Sequence, residues 1–360
     1  SLCKQKRDKY GATTQIFGKN GKLGSNKAKR NRLVHDKMVL CKEYNIRFLP
    51  YRRSSYYYID IMQVKQLCYL AKWFVQARFF GKQKPLQSVI FISDKCNLKC
   101  KHCSVYNYDN PNVKTFEQIR KELEYCYSLG SRFVDFEGGE PFIWEDKGKR
   151  IDDLIDLAKQ IGFYSCTITT NAQRPFVNSR ADSIWVSLDG IGQWHEQIRG
   201  QGTFERLEKN IATCNHKALS ANMAINTLNY QGVAPTIEYV KNSPYLKSIS
   251  LNFHTPFEGT EYLALDMEKR SEIIDLILDY KKKGYPIMNS ATGLKKMKHL
   301  DFTPECWVTN FIFSDGTKLS QCVGKEQGVC DKCGFCMAAE MNAVFNFRPE
   351  TIIAGLKLRL

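Results

Sequence analysis

Long apolar runs are missing from this chain. None of its 360 residues belongs to a stretch approaching the roughly 18–20 consecutive apolar side chains that cross a bilayer, so no segment reads as a membrane span. A glycine-rich dinucleotide-binding motif is missing too, and no signal-peptide pattern opens the chain as given. Acidic residues are scarce at one end. Residues 1–53 hold 15 Lys and Arg against Asp8, Asp36 and Glu43, whereas the other 307 hold 38 against 34. The net charge of +16 therefore belongs mostly to an N-terminal arm, and the rest is near neutral. That arm is poor in large apolar side chains until about residue 33. It reads as a flexible or loose surface extension, with attraction to anionic lipid or nucleic acid as the sharper alternative.

What the chain has in plenty is cysteine, 14 residues of it. Cys3, Cys41, Cys68, Cys126, Cys166 and Cys214 are dispersed and read mostly as small buried apolar residues. The other eight are clustered, at Cys96, Cys100 and Cys103 and at Cys306, Cys322, Cys330, Cys333 and Cys336. Clustered thiols without a leader point to metal or cluster binding in a reducing cytoplasm. The first group has the spacing Cys-x3-Cys-x2-Cys. A cubane [4Fe–4S] cluster normally takes four cysteines, so three leave one iron open for another ligand. Structural zinc wants four N or S ligands, usually in two pairs, and a disulfide wants two thiols in an oxidising compartment. The triad fits the open cluster better than either.

An apolar content of 43% supports a sizeable core. Ile59–Phe80 predicts an amphipathic helix, with Val64, Leu67, Ala71, Phe74 and Val75 on its apolar face, Lys65, Lys72 and Gln76 on another, and an aromatic end. Such a helix packs on a core or lies at a membrane surface. From residue 88 strands and helices alternate. Strands are expected at 88–93, 132–136, 164–170, 183–188, 222–228 and 247–252, with helices at 115–129, 151–161, 204–218, 234–241 and 267–283 and a short helix or turn at 173–182. Thr115 with Gln118 forms a capping box, and Gly130 and Gly162 end helices. The fold class is α/β, six β/α units suggesting an open barrel whose active site lies at the C-terminal strand ends. The expected organisation is a basic arm at 1–55, helix and linker at 56–86, barrel at 87–285, a cysteine-rich extension at 286–345 and a tail at 346–360.

Polar and glycine-rich segments fall at those strand ends: Glu137-Gly138-Gly139-Glu140-Pro141, Thr169-Thr170-Asn171, Ser187-Leu188-Asp189-Gly190 and Arg199-Gly200. Two glycines let a backbone approach a ligand closely; Asn, Ser, Asp and Gly also simply favour turns. Together with the cysteine triad these residues resemble the radical S-adenosylmethionine (SAM) superfamily, which implies a partial (β/α)6 barrel. The resemblance implies a cluster on Cys96, Cys100 and Cys103 whose free iron binds SAM, and electron transfer that cleaves SAM to methionine and a 5′-deoxyadenosyl radical. It further implies His102 near the adenine; Gly138, Gly139 and Glu140 at the amino group; Ser187 and Asp189 near the ribose; Arg199 at the carboxylate; and Asn171 and Asn226 as further contacts. The family often has Gly after Thr-Asn, where this chain has Ala172.

Phe311–Leu319 holds an Asp-Gly between apolar runs and predicts a β-hairpin that brings Cys306 and Cys322 together. With Cys330, Cys333 and Cys336 they supply five thiols for a four-ligand site, an auxiliary [4Fe–4S] cluster or, as its rival, zinc. The tail resembles the SPASM and twitch extensions, with a looser similarity to adenosylhopane synthase relatives. The resemblance implies flavodoxin or ferredoxin as electron donor, and no cobalamin domain is evident. The substrate expected is a peptide or protein. The alternative is a lipid or isoprenoid, with cytoplasmic protein touching a membrane peripherally through residues 1–80. The reading of another class is a non-enzymatic zinc or nucleic-acid-binding protein; no nucleic-acid partner is expected of the enzyme.

Overall fold

The computed structural model describes residues 57–103 and 110–359; the arm expected over 1–55 lies outside them. Six parallel strands run in spatial sequence order: β1 Gln87–Phe91, β2 Phe133–Glu137, β3 Ser165–Thr170, β4 Ser183–Ser187, β5 Leu219–Ile225 and β6 Leu246–Phe253. Helices that follow the strands are α2 Phe116–Leu129, α3 Ile151–Ile161, α4 Gln193–Arg199, α5 Thr203–Thr213, α6 Val233–Asn242 and α7 Met267–Lys282, after α1 Tyr57–Phe80 at the start. Parallel neighbours need crossovers, and four of the five connections between these strands are helical. Between β3 and β4 the chain takes the turn rather than the short helix, the two forms expected at 173–182. Among the described residues no helix is long and apolar enough to cross a membrane.

Local sequence explains these boundaries. Thr115 accepts from the Gln118 N–H while the Gln118 side chain accepts from the Thr115 N–H, the expected capping box of α2. Gly130 and Gly162 close α2 and α3 at φ of 115°, which no side chain adopts without strain. One residue parity on each strand packs against the helices, as with Ile184 and Val186 on β4 and Ile249 and Leu251 on β6. On β3 to β6 the other parity is mostly polar, with Thr167 and Thr169, Ser183 and Ser187, Ser220 and Asn222, Ser248, Ser250 and Asn252, interrupted by Trp185 and Ala224. Cross-strand hydrogen bonds join Thr167 to Ser183, Ser220 to Ser248 (both 3.0 Å) and Asn252 to Asn222 (2.9 Å). The inner wall is a ladder of hydroxyls and amides.

The expected hairpin is β7 Thr309–Ile312 and β8 Lys318–Leu319, with Phe311 opposite Leu319. It is not a free module. β7 pairs parallel with β1, giving the sheet order β6-β5-β4-β3-β2-β1-β7-β8. The outer edge of β6 is also covered: Ile249 exchanges backbone bonds with Pro286 and Met288, Leu251 with the Asn289 side-chain amide, and the Phe253 N–H donates to the Gly334 carbonyl. After the barrel come α8 Ala291–Lys296, α9 Val323–Glu326, α10 Cys336–Phe345 and α11 Pro349–Arg359, so the tail is helical. All of this packs as one unit, Ile59–Leu360.

Helix α1 uses a different face from the one periodicity suggested. Leu67 and Val75 are exposed, and Tyr69, Leu70, Trp73, Phe74 and Ala77 form the packed side. Apolar residues surround the helix, so their spacing does not choose a face. Two hydrogen bonds do: Tyr69 Oη to the Gly130 carbonyl (2.6 Å) and Trp73 Nε1 to the Lys84 carbonyl (2.7 Å). Trp73 also packs on Trp307 and Phe345, which ties α1 to the C-terminal extension. Trp73→Ala is expected to cost about 3–5 kcal/mol of stability, read as a lowered midpoint in chemical denaturation, with Leu67→Ala near neutral as the exposed control.

Candidate functional site

The cysteine loop leaves β1 and is held by the turn after β2. The Gly139 N–H donates to the Ser93 carbonyl (2.7 Å) and the Glu140 N–H to the Lys95 carbonyl (2.9 Å). A Cβ at 138 would lie 2.4 Å from the Ser93 carbonyl oxygen and one at 139 would lie 2.1 Å from that of Lys95. The close approach that demands glycine here is therefore to the backbone that begins the cysteine loop. Glu140 is buried at 1% exposure. Its carboxylate accepts from the Asn171 N–H and Thr170 Oγ1 (both 2.8 Å) and the Phe142 N–H (3.1 Å). Burial pushes its pKa up, opposed by those donors. Glu137 faces Thr169 (3.3 Å), and burial pushes it up to about 7.

All three loop thiols are half-buried. Cys96 Sγ accepts from the Leu98 N–H (3.4 Å) and lies 3.7 Å from Asn171 Nδ2, which also donates to Asn97 Oδ1 (2.8 Å). Cys100 Sγ lies 3.8 Å from Arg199 Nη1, and the Cys103 N–H donates to the Cys100 carbonyl. Helix α4, which periodicity did not reveal, ends at Arg199, and its Ile198 carbonyl accepts from the Lys101 N–H. Desolvation raises the Cys96 and Cys100 thiols, and Arg199 works against that at Cys100.

Arg199 is anchored by Asp189, Nε to Oδ2 at 2.6 Å, with both side chains buried. Asp189 is fully buried, its Oδ1 accepting from the Ala224 N–H (3.0 Å) and its own N–H donating to His195 Nδ1 (3.2 Å). Burial alone would raise its carboxyl; Arg199, then His102 and His195, hold it down at about 2. His102 Nε2 sits 3.7 Å from Asp189, burial pushes its imidazole down to about 4, and its buried Nδ1 has no partner among the described residues. Ser187 ends β4 on the polar wall, half-buried. Asn226 lies just beyond β5, which ends at Ile225, and its amide accepts from the Leu228 N–H and donates to the Ala224 carbonyl in the turn. Ala172 is buried in the left-handed region at φ 55°, the conformation a glycine adopts freely. The polar wall and Glu137 were missed from sequence. Their signal was the Ser/Thr/Asn alternation in TITT, SIWVS and SISLNF.

The C-terminal thiols divide. Cys306, Cys322, Cys330 and Cys333 line one cavity of about 240 Å³ with Thr255 and Phe335. Cys306 and Cys322 flank the hairpin. Cys336 does not line this cavity; it opens α10 at 2% exposure, its N–H donating to Asn252 Oδ1 (3.0 Å), and burial pushes its thiol up. Among the described residues no three His, Cys, Asp or Glu converge on a single metal-ion position. Cubane ligands have no need to converge, because each thiolate binds a different iron. The triad, with N–H donors aimed at its sulfurs and a buried histidine nitrogen left open, fits such a group.

Residues 90–234 match the family model of the Radical SAM superfamily. The chain carries a radical SAM domain. Among curated relatives, Fe-coproporphyrin III synthase of Methanosarcina barkeri is 23% identical over 58% of this chain and 55% of its own length. Pre-heme d1 synthase of Dinoroseobacter shibae is 28% identical over 45% and 41%, and a probable GTP 3′,8-cyclase of Methanococcus maripaludis 23% over 52% and 62%. The chain thus spans about half the length of these enzymes. Streptococcus suis SuiB bound to S-adenosylmethionine superposes with a TM-score of 0.55 at 17% identity, covering 91% of this chain and 78% of SuiB. The anSMEcpe structure with bound AdoMet and Kp18Cys peptide gives 0.51 at 16%, covering 76% and 83%. At such identity the likeness is one of fold, and that fold is the radical SAM partial barrel.

The depressed carboxyl of Asp189 has a measurable consequence. Its contribution to stability is fully present above the ordinary value near 4 and is lost as pH falls toward about 2, an effect of about 2 kcal/mol. Asp189→Asn is expected to flatten that acid limb of the stability curve in urea titrations at stepped pH; an unchanged limb overturns the assignment.

Proposed function

We propose that the protein is a radical SAM enzyme that holds a [4Fe–4S] cluster on Cys96, Cys100 and Cys103, binds S-adenosylmethionine beside it and modifies a peptide or protein. The observation that carries this reading is the cysteine triad at the end of β1, knitted to the β2 and β3 ends by Glu140 and flanked by Asn171 and Arg199 within a matched radical SAM domain. When bound, the cluster and S-adenosylmethionine supply reductive sulfonium cleavage and a 5′-deoxyadenosyl radical, the electron coming from flavodoxin or ferredoxin.

The chain's own part is to bind, orient and shield. Arg199, fixed by Asp189, keeps one positive charge at Cys100, where it favours a thiolate and an incoming carboxylate. His102 Nδ1 and Ser187 are polar groups available to a ribose or adenine; Gly138, Gly139 and Glu140 set the loop to which the methionine end is assigned. The hydroxyl and amide wall suits a polar substrate. Cys306, Cys322, Cys330 and Cys333 are assigned an auxiliary cluster, since they line one cavity and no three of them converge on a single-ion position. A peptide substrate is supported by likeness of fold to SuiB, solved with its precursor peptide SuiA, and to anSMEcpe.

The test is anaerobic reconstitution, an iron count and an assay for 5′-deoxyadenosine after dithionite reduction. Cys100→Ala is expected to abolish that product, and its retention would sink the mechanism. Cys322→Ala is expected to lose roughly half of the iron, whereas Cys336→Ser keeps it all.

A second reading, a lipid substrate at a membrane surface, is favoured by one patch. Phe79, Phe80 and Phe347 are 61%, 69% and 48% exposed, and the Arg78 guanidinium lies 5.8 and 5.6 Å from the Phe79 and Phe347 rings. Exposed aromatics beside cations suit an anionic interface. The chain should then co-sediment with phosphatidylglycerol liposomes and lose this on replacing the three Phe by Ser; failure of the parent to sediment removes the reading.

A further inference from the structure

Arg270, in the first turn of α7, is 3% exposed, yet among the described residues no carboxylate lies within ion-pair distance of it. Its Nη2 donates to the Cys333 carbonyl at 2.5 Å, its guanidinium carbon stands 4.7 Å over the Phe253 ring, and its buried Nε has no partner among the described residues. A buried cation without a counter-ion is strongly disfavoured, and one carbonyl with one ring face does not neutralise it. Its contact with the Cys333 carbonyl sets it against the backbone of a residue whose thiol lines the four-thiol cavity. The element that carries it packs behind the loop presenting Cys330 and Cys333 to the four-thiol cavity.

We propose that Arg270 is the buried countercharge of the group held by Cys306, Cys322, Cys330 and Cys333, and that it raises the reduction potential of that group. The inference rests on the assignment of an auxiliary cluster there. A four-thiolate cubane is a net anion and gains one further negative charge when it takes up an electron. A fixed positive charge behind Cys333 stabilises the reduced form more than the oxidised form, and second-layer charge of this kind is a recognised control on metal sites. Arg270 is a positioning residue; its guanidinium also holds the Cys333 backbone, and the two roles separate in experiment.

The experiment uses the full-length chain with Cys96, Cys100 and Cys103 replaced by Ala, so that iron signals report only the C-terminal site. Iron and sulfide are counted after anaerobic reconstitution, and the midpoint potential is measured by dye-mediated dithionite titration followed by electron paramagnetic resonance. Arg270→Gln is expected to shift the midpoint to a more negative value, and Arg270→Lys, which keeps the charge, to stay near the parent. A loaded Gln variant titrating with the parent overturns the proposal and leaves only the backbone-holding role. If Gln fails to load while Lys loads, the charge requirement stands; if both fail while far-ultraviolet dichroism shows both folded, guanidinium geometry rather than charge is what matters and the proposal falls. A parent without iron removes the cluster assignment itself, an outcome distinct from iron present with an unmoved potential.

Discussion

Glu140 has both carboxylate oxygens inside the protein and spends them on three donors, from Phe142, Thr170 and Asn171, while its own N–H holds the Lys95 carbonyl. One residue thereby joins the ends of β1, β2 and β3. Removing a buried carboxylate of this kind leaves its donors without acceptors, which costs more than the net worth of the bonds. The position of the cysteine loop follows from this knot. So does that of Asn171, whose backbone is held by Glu140 and whose amide reaches Cys96. The adjacent glycines belong to the same device, because only a residue without Cβ lets the two backbones come this near.

The C-terminal extension is built on the barrel's own edges. Cys306 and Cys322 flank a hairpin whose first strand pairs with β1; Cys330 and Cys333 lie on a loop whose Gly334 pairs with the end of β6. Four thiols from opposite ends of an open sheet meet at one cavity. A group bound there would bridge both edges, so loading and barrel geometry are linked through the same contacts.

How much of this was legible in the sequence depended on whether the signal was local. The capping box at Thr115, the glycine stops and the hairpin at Asp315-Gly316 are written in neighbouring residues, and they stand in the structure where expected. The face of α1 was not legible, because apolar residues surround it and hydrogen bonds to distant carbonyls select the packed side. Helix α4 is only seven residues and begins at Gly192 without a side-chain cap, so nothing local announces it, although it delivers Arg199. β5 begins three residues earlier than its apolar pattern suggested, which moves Asn226 from strand to turn. Which four of the five thiols line one cavity is a matter of tertiary packing: spacing makes Cys330, Cys333 and Cys336 equivalent, and the burial of Cys336 at the start of α10 separates it.

The sealing of β6 limits how a long substrate can be held. Ile249, Leu251 and Phe253 already have their outward backbone groups engaged by Pro286, Met288, Asn289 and Gly334. An extended peptide that binds by adding itself as a further strand needs free N–H and C=O groups along such an edge, and at β6 there is no such row to join. β8, at the other edge, is two residues long. Under the proposed peptide reading, a chain seated along β6 would therefore be gripped by side chains rather than by backbone pairing.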